Sequence, residues 1–141
     1  MIVVGVDGSQ HSIEALAWAL DEARLRGTNV LALHAWTLPA PPPAIGFYTP
    51  ELHDPAPFQE GAERQLEQAV SAVDTEGVTL EHRAVQGTPA DVLIRAAEDA
   101  ELLVVGSRGH GGFASLVLGS VSQQCVQHAS CPVVVVPPAQ G

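Results

Sequence analysis

A chain of 141 residues with 46% hydrophobic and 16% charged side chains has enough apolar surface for one packed core and too little charge for disorder. Its formal net charge of −10 argues against nucleic acid and anionic membrane as partners, because both require clustered cations. Screening over ~8 Å at physiological salt leaves a small anion possible wherever local donors gather.

Met1 runs straight into Ile2, Val3 and Val4, and no apolar run approaches the ~20 residues of a membrane span, so the expectation is a cytoplasmic protein. Residues 2–6, IVVGV, form a buried strand, and Asp7-Gly8-Ser9 is a turn. From Ser12, Ile13, Leu16, Ala17, Leu20, Ala23 and Leu25 recur largely at helical spacing until Gly27 stops them. Residues 29–36, NVLALHAW, read as a second strand. The stretch 37–58 carries seven prolines, a density no regular element tolerates, and reads as a long loop.

A second helix is expected over about 59–75, with Ala62, Leu66, Ala69, Val70 and Val73 inward and Gly77 near its end. Strand 78–85 follows, its Glu81 and Arg83 placing it near a sheet edge. Thr88 caps a third helix that has Pro89 at its first position. ELLVVG at 101–106 is a fourth strand, a helix runs from about Ser120 to His128, and VVVV at 133–136 is the last strand. Strand and helix alternate regularly, so the chain is one α/β domain over 1–141, doubly wound, with a parallel sheet and helices on both faces.

Such sheets bind ligands at the carboxyl ends of strands where the winding reverses, which selects the turns where the first strand ends at Asp7 and the fourth at Gly106. From Gly106 the sequence reads GSRGHGGFASLVLGSVS. Glycines there let backbone amides form a concave nest for anions, and Ser120 and Ser122 open a helix whose N–H groups and positive dipole end meet hydroxyl donors. Such a site holds a polyphosphate with almost no cations. Arg108 either pairs with a phosphate or points to solvent. The segment is neither a Walker loop nor a tight GxGxxG turn.

These features resemble the universal stress protein family over the whole chain, and in particular its ATP-binding subgroup with G-x2-G-x9-G-[S/T]. The resemblance rests on IVVGVDGS, VLALHAW, GTPADVLIRAAEDAELLVVGSRGHGG, VLGSVS and CPVVVVP, with Glu101 where the family usually shows Asp. It implies a five-stranded parallel sheet of order 3-2-1-4-5 with ATP across strands one and four. It further implies that Gly5, Val6 and Ala35 line the adenine, that Asp7, beside Ser9, meets the ribose or a nucleotide-bound Mg²⁺, and that Gly106, Ser107, Arg108, Gly109, His110 and Gly112 surround the phosphates. Gly119, Ser120, Val121 and Ser122 would cap them. The plain alternative for Asp7 is a helix-capping turn.

The same resemblance implies a homodimer, for which the apolar edge at 133–136 is the candidate surface. A regulatory ATP-binding module is the leading reading; a slow ATPase, for which only His110 and Asp7 could serve, and a binder of cAMP or another adenine nucleotide are the rivals. The six histidines show no zinc spacing, no nucleophile elbow occurs, Trp18 and Trp36 read as packing residues, and Cys125 and Cys131 read as buried free thiols.

Overall fold

The structure, a computed structural model, describes residues 1–38, 54–107 and 118–139. Strands β1 (Ile2–Gly5), β2 (Val30–Trp36), β3 (Leu80–Gln86), β4 (Leu102–Gly106) and β5 (Val133–Val136) form one sheet of order β3-β2-β1-β4-β5. Every pairing is parallel, with Ile2 opposite both Val30 and Leu102, so the order and direction expected from the sequence hold. The strands with near-continuous apolar runs, β1 and β4, are central, where both faces are covered.

Among the described residues four helices cover the sheet: α1 (Gln10–Arg26), α2 (Ala56–Ser71), α3 (Pro89–Ala96) and α4 (Ser120–His128). Period-2 alternation splits the core in two. Ile2, Val4 and Val104 pack with Leu16 and Leu20 of α1 and Leu66 of α2. On the other face Val3, Leu31, Leu33, Leu103 and Val105 pack with Leu93 of α3 and Cys125 of α4. Among the described residues no helix is long and apolar enough to cross a membrane.

Local chemistry sets the helix ends. Ser9 caps α1, its side chain accepting from the Ser12 amide at 3.3 Å, and the α1 C-terminus closes with the Gly27 and Thr28 amides on the Ala23 carbonyl. Helix α2 begins three residues before the expected start: Pro55 and Pro57 lie at its N-terminus, where an amide is not needed, and Asp54 Oδ1 accepts from the Ala56 amide at 3.0 Å. Residues read as loop thus open a helix, and 39–53 of the Pro-rich stretch lie outside the described residues. Helix α2 also ends early, at Ser71. Thr88 does stand at the α3 N-cap position, but its side chain makes no capping bond.

The two sheet edges differ in kind. On β3, Glu81, His82 and Arg83 are exposed, and Arg83 Nε lies 3.1 Å from Glu81 Oε1. On β5 all four residues are half-buried valines. Cys125 is buried and Cys131 only partly so, which corrects the expectation for the latter; burial pushes both thiols up, and both are unpaired. Glu101, just before β4, accepts hydrogen bonds from the N-terminal ammonium at 2.5 Å and Thr28 Oγ1 at 2.6 Å, which hold its carboxyl below the usual range.

Candidate functional site

Where β1 and β4 run side by side, both strands end and the chain turns away into α1 and toward α4. Gly5 closes β1, and a Cβ placed there would stand 2.7 Å from Leu93 Cδ1, so the missing side chain lets α3 press on the sheet. Val6 is buried; its amide donates to the Leu33 carbonyl at 2.8 Å. The Val6 carbonyl accepts from His34 Nδ1 at 2.8 Å, which fixes the proton of this buried imidazole on Nδ1.

Asp7 is a turn-forming residue here. Its Oδ1 accepts from the Ser9 amide at 2.9 Å and Ser9 Oγ at 2.5 Å, while its own amide donates to Ser12 Oγ at 3.2 Å. Ser12 Oγ in turn donates to the Ser9 carbonyl at 2.9 Å. Gly8 has φ 87°, a left-handed conformation that favours glycine, and Gln65 of α2 fills the space a Cβ would take, its Nε2 only 2.5 Å from that point. Gln65 Nε2 also approaches the Asp7 carbonyl at 3.5 Å.

On the β4 side, the Ser107 amide donates to the Val136 carbonyl at 3.0 Å, and the Ser107 carbonyl accepts from the Gly119 amide at 2.8 Å. Both stems of the glycine-rich stretch are therefore tied together, although eleven residues separate Ser107 from Gly119 in sequence. Ser122 is buried, and its hydroxyl reaches the Ser107 carbonyl at 3.3 Å and the Gly119 carbonyl at 2.9 Å. That hydroxyl fastens the stems. The first α4 bond runs from the Gln123 amide to the Gly119 carbonyl, leaving the amides of Ser120, Val121 and Ser122 without a partner inside the helix. Ser120 itself is exposed and Val121 half-buried.

The hydroxyl of Ser107 is buried and has no hydrogen-bond partner. Such orphans are rare and call for a physical reason. Ala35 is half-buried near the end of β2, opposite Val85. Thus Gly5, Val6, Asp7 and Ser9 on one side and Gly106, Ser107, Gly119, Ser120, Val121 and Ser122 on the other flank the same carboxyl edge, with Ala35 one strand away. Arg108, Gly109, His110 and Gly112 lie outside the described residues. Among those described, no three of His, Cys, Asp and Glu come together as a metal-binding group.

Sequence reasoning missed Ser12, Gln65, His34 and Leu93. Ser12 had a signal, the serine three residues after an N-cap serine; Gln65 had none, because only tertiary packing brings α2 to Gly8. Tied stems, free helix amides and an unpaired hydroxyl together make a surface suited to an anionic oxygen cluster.

The family model described as "Universal stress protein family" matches residues 1–137. A universal stress protein of Thermus aquaticus is 39% identical over 142 residues, covering 96% of this chain and 96% of that protein. One from Mycobacterium tuberculosis is 38% identical over 95% of this chain but only 44% of its own length, so the chain spans under half of that relative. Among solved structures, an Archaeoglobus fulgidus universal stress protein in complex with dAMP is 28% identical at TM-score 0.66, covering 96% of this chain and 95% of that one. A universal stress protein in complex with cAMP is 28% identical at TM-score 0.63, with 96% and 94% covered. An Arabidopsis thaliana family member with AMP bound is 26% identical at TM-score 0.62, with 98% and 91% covered.

Proposed function

Since the chain belongs to the universal stress protein family, we propose that it is a regulatory module that binds an adenine nucleotide, ATP in preference, at the carboxyl edge of β1 and β4. The observation that carries this reading is the buried, unpartnered hydroxyl of Ser107, a residue whose carbonyl is tied to the Gly119 amide at the start of α4, where the first-turn amides lack helical partners. These donors fit phosphate oxygens. Asp7 would hold the ribose or a nucleotide-borne Mg²⁺, since Mg²⁺ takes one or two carboxylates and completes its shell with phosphate and water. Related proteins crystallised with dAMP, cAMP and AMP support the adenine class, and the number of donors supports more than one phosphate.

The reading is of a binding module within one domain over 1–141, cytoplasmic, and without nucleic-acid partners. Of the five described arginines, Arg24, Arg26, Arg83 and Arg95 each meet a carboxylate and Arg64 is exposed, so no cluster of free cations forms among them, which supports the last point. Calorimetric titration with ATP, AMP and cAMP tests the ligand. ATP should bind tightest, and AMP and cAMP about tenfold or more weaker, the difference of one or two charge-assisted hydrogen bonds. Equal affinity for all three would remove ATP as the preferred ligand, and heatless titrations with all three would remove the site. The reading extends to a homodimer joined through Val133–Val136, whose half-buried valines leave an unpaired apolar edge. Sedimentation at micromolar concentration should give twice the chain mass; a monomer would contradict it.

A further inference from the structure

Among the described residues, two side-chain polar atoms are buried and lack any hydrogen-bond partner: Ser107 Oγ and His11 Nδ1. Their places in the fold are related. Ser107 follows directly on β4, and His11 lies in the first turn of α1, immediately after the turn that leaves β1. Strands β1 and β4 are neighbours, with Val4 opposite Val104 near their ends, so both orphans belong to segments that border one crevice. Buried polar atoms elsewhere in the described chain find partners, His34 on the Val6 carbonyl and Ser122 on two carbonyls among them.

From this pairing we infer that His11 is a ligand-binding residue, its Nδ1–H donating to a phosphate oxygen of the nucleotide. The inference rests on the proposed adenine-nucleotide site and adds to it a residue outside the glycine-rich segment. An anion rather than a base or sugar is the partner because His11 stands at the second position of α1. There the amides of Gln10 and His11 precede the first helical bond and the dipole end is positive. A neutral imidazole carries one N–H, and when that proton sits on Nδ1 it requires an acceptor. Within the preceding turn, Asp7 Oδ1 already accepts from Ser9 and Ser9 Oγ from the Ser12 amide, and neither is bonded to His11 Nδ1.

The test compares AMP with adenosine, which differ by the phosphate alone, on the full chain. His11→Ala should weaken AMP about tenfold or more while leaving adenosine within twofold, since a hydrogen bond to a charged group is worth a factor of that order. His11→Asn, which keeps an N–H donor near the Nδ1 position, should recover most of the loss. In the unsubstituted protein, AMP but not adenosine should shift the His11 imidazole nitrogen resonances. AMP affinity unchanged in His11→Ala, an equal loss for adenosine, or unmoved resonances would each overturn the inference while leaving the nucleotide site standing. Failure of the unsubstituted protein to bind ATP or AMP would bring down that site and this residue's role with it.

Discussion

Replacing Ser120 with glutamate should abolish the response to nucleotide without weakening the fold. If the native chain binds ATP as proposed, ligand at a hundred times its Kd should add about 2.7 kcal/mol, which for a domain of this size should raise the melting temperature by about 8 °C. The Ser120 side chain is exposed at the first position of α4, and its amide has no helical partner. A carboxylate there meets the helix dipole favourably, worth about 0.3–1 kcal/mol, so the variant without ligand should melt as high as the parent or slightly higher. The same carboxylate repels a phosphate and competes for the amides. Thermal melts with and without ATP should therefore show the nucleotide shift gone and the baseline kept. Gln124→Glu, exposed further along the same helix, serves as the control and should keep the shift. A full ATP response in Ser120→Glu would mean the nucleotide lies elsewhere.

The largest effect on stability is expected where α3 meets β1. Leu93 is 4% exposed, and its Cδ1 would stand 2.7 Å from a Cβ on Gly5, so side chain and bare backbone occupy one another's space. Leu93→Ala should cost about 2–5 kcal/mol through lost burial and a cavity. Gly5→Val should cost about 1–3 kcal/mol through overpacking. Combined, the two should cost less than their sum by about 1 kcal/mol or more, because the valine fills part of the cavity the leucine leaves. Urea unfolding measures all three, with midpoints falling at unchanged slope. Strict additivity would show that Leu93 is not what keeps residue 5 a glycine. The family resemblance assigns Gly5 to the adenine, and the packing supplies a second reason for the same residue.

Much of the fold could be read from particular residues. IVVGV, ELLVVG and VVVV are apolar runs too short for helices, and Pro89 and Gly27 punctuate two helices; together they yield a parallel sheet whose order the structure bears out. The family resemblance, and not the spacing alone, supplied the strand order. Less legible were features decided by contacts between distant residues. Pro55 and Pro57 look like loop residues until Asp54 is seen to cap the helix they begin. Ser122 was assigned to phosphates for its position after Gly119, yet its hydroxyl holds two backbone carbonyls, so only its amide remains for a ligand. Gln65 is invisible in sequence because its role depends on the left-handed turn at Gly8, 57 residues earlier. The orphaned Ser107 hydroxyl is the reverse case: the motif named the residue, and the structure gives the physical motive.

The unlike margins of the sheet set how copies of the chain can combine. A strand end that bears the ion-paired Glu81 and Arg83 must strip both of water before another backbone can align with it, whereas the valines of β5 lose nothing comparable. A protein receptive on both margins would polymerise without limit. With one margin receptive and its opposite barred, the proposed union through β5 would consume the receptive margin of each molecule, and the product would be a finite pair rather than a fibre.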